Sequence, residues 1–182
     1  MVWSTNNKTL VTSRGDEIIR FWDTSSGELQ QEFKSPHRAG YLSRSNDGKS
    51  LASEGGGFVH VYEAVSGELL RTLQAPGYVG SVLSLAWSPD DKLLACAGGS
   101  ATCSILFWDT KTGELRGKLL SLGSGQGLVI NPEGHYRGTP GIENQLVYVV
   151  ETDRGQETLS PEEFTKKYGW KNDPERVRLS SD

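Results

Sequence analysis

The strongest constraint on this chain is a segment that occurs three times. Ile18-Ile19-Arg20-Phe21-Trp22-Asp23, followed by Gly27-Glu28-Leu29, returns as Phe58-Val59-His60-Val61-Tyr62-Glu63 with Gly67-Glu68-Leu69. It returns again as Ser104-Ile105-Leu106-Phe107-Trp108-Asp109 with Gly113-Glu114-Leu115. A second marker runs in phase with it. Ser45-Asn46-Asp47-Gly48-Lys49 matches Ser88-Pro89-Asp90-Asp91-Lys92, with weaker copies at Ser4–Lys8 and Asn131–His135. Asn6, Asp47, Asp90 and Glu133 are 41, 43 and 43 residues apart. Two independent markers at one period require a supersecondary unit that is stacked against copies of itself.

Each period reads as four short strands. In the best-defined one, Val82–Trp87, Leu93–Ala97, Ser104–Trp108 and Glu114–Leu120 are rich in Val, Ile, Leu and aromatics, and Gly, Asp, Ser and Thr separate them. Composition agrees. The chain of 182 residues holds 22 glycines and only 35% apolar residues, as many short strands joined by tight turns require. Several strands lack clean polar–apolar alternation, which fits sheets covered on both faces.

A period near 43 residues whose third strand ends in Phe-Trp-Asp resembles the WD40 repeat of β-propellers over residues 1–120. The resemblance implies an all-β fold: a partial, open propeller of three to four four-stranded blades. It gives a truncated blade at 1–34, blades at 35–74 and 75–121, and a degenerate last blade at 122–159. A C-terminal helix and tail occupy 160–182. It also implies a buried polar chain within each blade. The first blade offers Thr12, Asp16 and Trp22 for it, the second Ser53 and Tyr62, and the third Trp108, while Asp23 and Asp109 are repeat positions that end their third strands. No blade has the family's Gly-His pair before its first strand, so apolar stacking is expected to supply most of the stability between blades. A closed ring of this family takes about seven blades. The chain is therefore expected to be the C-terminal part of a longer, bacterial, multidomain signalling or regulatory protein, or to close with another chain. Uncovered blade faces then favour self-association.

Past residue 159 the pattern changes. Ser160-Pro161-Glu162-Glu163 predicts a helix start, with Ser160 as N-cap, Pro161 in the first turn and Glu163 closing a capping box. Phe164, Tyr168 and Trp170 make an apolar stripe, and Gly169 is the expected C-cap. The polar tail Lys171–Asp182 is expected to fray.

The chemistry-bearing residues give no catalytic constellation. His37, His60 and His135 lie at unrelated repeat positions, which speaks against a metal site, and His60 reads as a cross-strand neighbour. Gly123-Ser124-Gly125-Gln126-Gly127 precedes a strand and lacks the Lys-Ser/Thr of a phosphate loop. Cys96 and Cys103 read as a reduced pair. Lys and Arg number 19 against 23 Asp and Glu, a net charge of −4, which disfavours nucleic acid. No apolar run is long enough for a membrane helix, and no secretory leader is legible. These readings converge on a non-catalytic, cofactor-free, cytoplasmic scaffold that binds proteins or peptides. A propeller hydrolase or lyase with a site near the central channel is the alternative. Arg14, Arg38, Tyr41, Glu54 and Tyr78, in or beside the loops between second and third strands and before first strands, are the candidate contact residues.

Overall fold

A computed structural model describes residues 1–74, 82–98, 104–123, 125–153 and 155–179. It contains three up-and-down antiparallel sheets and a separate hairpin. The first sheet is β1 (Val2–Trp3), β2 (Thr9–Ser13), β3 (Ile18–Asp23) and β4 (Leu29–Lys34). The second is β5 (Leu42–Arg44), β6 (Ser50–Gly55), β7 (Phe58–Glu63) and β8 (Leu69–Leu73). The third begins with β9 (Val82–Trp87), β10 (Leu93–Gly98), β11 (Ser104–Asp109) and β12 (Leu115–Gly123). This is the open, unclosed arc of a WD40-type propeller.

The repeated motifs are turn chemistry. In all three sheets the third and fourth strands shift register at the same place: Phe21/Trp22, Val61/Tyr62 and Phe107/Trp108. The residue after the aromatic then caps the turn. The Asp23 carboxylate accepts from the amides of Ser25 and Ser26, Glu63 from Val65 and Ser66, and Asp109 from Lys111 and Thr112. Glu63 thus does the work of an aspartate with one more methylene. Gly27, Gly67 and Gly113 close these turns at φ of 75°, 74° and 78°, where a side chain would be strained. The other marker closes the first hairpin of each sheet: Ser4, Ser45 and Ser88 donate to Asn6, Asp47 and Asp90 and accept from the amides of Thr9, Ser50 and Leu93.

The sheets stack through apolar faces. Val11, Ile19 and Phe21 of the first meet Leu51, Tyr62 and Ala64 of the second. Ala52, Val59 and Val61 on the second sheet's opposite face meet Leu94, Cys96, Leu106 and Trp108 of the third. The polar chain differs between sheets. In the first, Trp22 Nε1 donates to Thr12 Oγ1 at 2.8 Å, while Asp16 turns to Arg20 at 2.9 Å. In the second, Tyr62 donates to Ser35 at 2.7 Å, and the buried Ser53 hydroxyl donates to the Glu54 carbonyl at 3.2 Å. In the third, Cys96 stands where Thr12 and Ser53 stand, two residues beyond the partner of the aromatic. Trp108 Nε1 is buried there facing the Cys96 sulfur, a weak acceptor, and has no oxygen or nitrogen partner among the described residues. Burial pushes the Cys96 thiol up to about 12, with the Trp108 side chain opposing that shift. Cys96→Ser therefore replaces a weak acceptor with a stronger one and should stabilise the chain by about 1 kcal/mol in urea unfolding. In a Trp108→Phe background the same change should destabilise, since no N–H remains to satisfy. A gain that persists in that background would refute the pairing.

After β12 the chain departs from the four-stranded plan. β13 (Gln126–Ile130) turns straight back along β12, and β14 (Tyr136–Gly138) follows on its far side, so the third sheet has six strands. β15 (Tyr148–Thr152) and β16 (Gly155–Leu159) form a hairpin of their own. Residues 122–159 are thus divided between two sheets rather than gathered into one blade. The cause is the β12–β13 turn, where Gly123 and Gly125 at positive φ permit a tight reversal. Helix α1 (Pro161–Tyr168) starts with both bonds of the Ser160–Glu163 capping box and ends at Gly169 with φ 69°.

The expectation of a frayed tail is corrected for residues 171–179. Asn172 holds both the amide and the carbonyl of Tyr136, at 2.8 and 2.9 Å, so a side-chain amide stands in for the next strand at the sheet edge. The Asp173 amide donates to His135 Nδ1, Arg176 pairs with Glu133, and Val177 is buried. These contacts depend on side chains nearly 40 residues away, which no local pattern reveals.

Candidate functional site

In an up-and-down sheet, the turn between second and third strands lies at the same end as the connection to the next sheet. Three such segments meet here: the β2–β3 turn, the 35–41 connection and the β6–β7 turn. Backbone bonds tie them. Gly15 donates to the Ala39 carbonyl and Ala39 to that of Asp16, while Gly40 and Tyr41 bracket Glu54 through two further bonds of 2.7 and 2.9 Å. The close approach needs glycine at 55, where a Cβ would overlap the Arg38 carbonyl oxygen.

Arg14 projects from the β2–β3 turn, exposed and without an ion pair among the described residues. Arg38 is also exposed; its Nε donates to the Gly15 carbonyl at 2.5 Å and anchors the stem while the rest of the guanidinium stays at the surface. Tyr41 is 52% exposed. Glu54 is different. It is half-buried, and desolvation raises its carboxyl above the ordinary range despite a hydrogen bond from the Gly57 amide. Glu54 is therefore fixed in the scaffold beneath the loops. Tyr78 lies outside the described residues, as does Cys103. Arg38 and Lys34 line one shallow cleft with Glu17 and Gly15.

Sequence spacing separated two residues that the fold joins. His37, in the 35–41 connection, places Nδ1 3.0 Å from His60 Nε2, and His60 Nδ1 lies 3.0 Å from Thr72 Oγ1. His60 and Thr72 are cross-strand partners, and His37 also stacks on Phe58 at 4.8 Å. Burial, with His37 adding to it, lowers His60 to about 4. This chain of side chains fastens the loop end to β7 and β8. Two imidazoles facing each other are a poor metal site without a third ligand, and among the described residues no group of three His, Cys, Asp or Glu could hold a metal ion.

The geometry is that of a rigid stack of sheets carrying variable loops at one end, and comparison with known proteins gives the class. Residues 67–109 match the family described as "WD domain, G-beta repeat", so the chain carries a WD40 repeat. Protein tipD of Dictyostelium discoideum is 27% identical over 111 residues, covering 58% of this chain and 18% of that protein. Protein HIR1 of Cryptococcus neoformans is 25% identical over 190 residues, covering 98% of this chain and 18% of that protein. The chain thus spans less than a fifth of the length of these curated relatives. Both are eukaryotic and lend no support to a bacterial origin. Of solved structures, that of U3-55K superposes with a TM-score of 0.54 at 17% identity, covering 75% of this chain and 50% of that one. The RRP9 WD40 repeats give 0.54 and 17%, covering 78% and 50%. These likenesses show the fold.

Proposed function

We propose that the chain is a non-catalytic scaffold that binds protein or peptide partners through the loop end formed by residues 14–17, 35–41 and 54–57. The observation that carries this reading is the convergence of Arg14, Arg38 and Tyr41, exposed side chains of types that favour contact, on a backbone cross-linked by hydrogen bonds. Such a surface loses little entropy when it binds. The matches to WD40 proteins support the scaffold class, and no observation favours a hydrolase or lyase. A cytoplasmic setting, a place within a larger regulatory protein and a preference for protein over nucleic acid belong to the same proposal. The net charge of −4 supports its last part.

The test is cross-linked pull-down with the full chain, comparing wild type with Arg14→Ala/Arg38→Ala/Tyr41→Ala. Partner recovery should fall at least tenfold, the effect of losing about 1.4 kcal/mol. Unchanged recovery would remove this end from consideration. Self-association belongs to this reading too: sedimentation of the 182-residue chain should show concentration-dependent oligomers, and a strict monomer would contradict it.

A further inference from the structure

At both internal joints one side chain crosses from sheet to sheet. Gln31, the partner of Phe21, donates from Nε2 to the Val65 carbonyl at 2.8 Å. Arg71, the partner of Val61, donates from Nε to the Thr110 carbonyl at 3.1 Å and from its terminal nitrogen to that of Lys111. Val65 lies in the β7–β8 turn of the second sheet, and Thr110 and Lys111 in the β11–β12 turn of the third. Each incoming turn therefore rests on the preceding sheet over one fixed position of its fourth strand. The contact is close. A Cβ on Gly67 would strike the Phe33 ring, and one on Gly113 would come within 3.2 Å of the Arg71 side chain.

The equivalent position on the third sheet is Gly117, the partner of Phe107. It offers no side chain to reach a further turn. The space over it is filled from within the chain: Leu179 Cδ2 lies 2.8 Å from where a Cβ on Gly117 would stand, and Gly117 is buried. The segment that carries Leu179 is fastened close by. Asn172 and Asp173 bond to Tyr136 and His135. The Asn131 side chain donates to the Arg176 carbonyl at 3.2 Å, and Glu175 and Arg176 pair with Arg137 and Glu133. Both ion pairs join exposed groups, which solvent screens. Among residues 171–179 Val177 alone is buried. The fastening is mostly polar and at the surface, so it places the segment without locking it.

Leu179 and the incoming turn of a further sheet cannot share one place. We propose that residues 174–179 form a displaceable strap over the outer face of the third sheet, competing for the position over Gly117 with the Asp23–Gly27 turn of a second copy. This strap presupposes the self-association put forward above. The competing turn is of the right kind. Asp23 and Gly27 cap and close it as Asp109 and Gly113 do the turn seated on Arg71, with Gly27 and Gly113 at φ of 75° and 78°. The first sheet also carries the unused half of a joint. Trp3 pairs with Leu10 as Trp87 pairs with Leu94. Trp87 Nε1 donates across its joint to the Ser43 carbonyl at 3.2 Å, whereas Trp3 is 55% exposed. On the third sheet Ile105 and Phe107, half-buried, stand where Ile19 and Phe21 of the first meet their neighbour.

The experiment is sedimentation equilibrium on the full chain, on a chain lacking residues 174–182, and on Leu179→Ser in the full chain. The shortened chain keeps the bonds of Asn172 and Asp173 to β14 and His135. Its apparent dissociation constant for self-association should be at least about tenfold lower, because a site that is open about a tenth of the time binds with that fraction of its affinity. Leu179→Ser should move the constant in the same direction, so the result does not depend on a shortened chain. Trp3→Glu, added to the shortened chain, should abolish the gain. Equal association of the full and shortened chains would overturn the proposal. A gain that survives Trp3→Glu would overturn it too, by placing the contact elsewhere. A full chain that stays monomeric while the shortened chain associates through Trp3 would support the strap and refute self-association of the intact chain.

Discussion

Replacing Tyr62 by alanine should cost about 3–5 kcal/mol, a large share of the stability of a domain this size. The side chain is fully buried between the first two sheets, and its ring lies 5.1 Å from Phe33. Its hydroxyl donates to the buried Ser35, which ties the connection between these sheets to β7. Tyr62→Phe separates the two contributions. It keeps the ring, leaves Ser35 without its donor, and should cost about 1–1.5 kcal/mol. Equilibrium unfolding in urea reads both values. A loss below about 1 kcal/mol for Tyr62→Ala would show that the stack of first and second sheets is not what holds the arc together.

Acidification should be the second large effect. His60 is lowered in the folded chain to about 4, chiefly by burial, from an ordinary 6.5. Between these values the unfolded chain binds a proton that the folded chain refuses. The contribution is therefore complete above pH 6.5 and disappears as the pH falls toward 4. Its size is about 3 kcal/mol, from 1.36 kcal/mol per unit. His60→Gln should flatten the stability profile in this window. Carboxylates lowered by turn hydrogen bonds, such as Asp47 and Asp90, act in a more acidic range and remain in the variant. An unchanged slope between pH 6.5 and 4 would mean that His60 is not the group responsible.

The repeat made the sheets legible, because turn chemistry is local. Asp23, Glu63 and Asp109 cap bonds two or three residues away, and the Ser45 and Ser88 turns close within five. The capping box at Ser160 was legible for the same reason. What stayed hidden is non-local. His37 meets His60 across 23 positions, and Asn172 reaches Tyr136 across 36. Cys96 in the place of a hydroxyl residue was available from alignment with Thr12 and Ser53, and only the buried Trp108 N–H facing it gives it meaning. For the loop end, the sequence placed Arg14, Arg38, Tyr41 and Glu54 in or beside the loops, but nothing local distinguished the inward Glu54 from the outward Arg38. That difference comes from how closely the two loops approach, with the Arg38 carbonyl lying against Gly55.

The stacking order gives the arc a polarity. Every internal joint sets an aromatic-bearing face, that of Tyr62 or Trp108, against the opposite face of the preceding sheet. By strand alternation, Leu10, Ile18 and Trp22 on the first sheet point away from the second, and Ile105 and Phe107 on the third do the same at the other flank. The two flanks are therefore unlike: one is an unmatched plug and the other an unmatched socket of the same joint. The β13–β14 extension lies in the plane of the third sheet and lengthens the socket, while Leu179 of the tail lies against it at Gly117, the partner of Phe107. Copies that joined through these flanks would do so head to tail, by a heterologous contact that closes a ring or grows a chain, and never as a twofold pair of like faces.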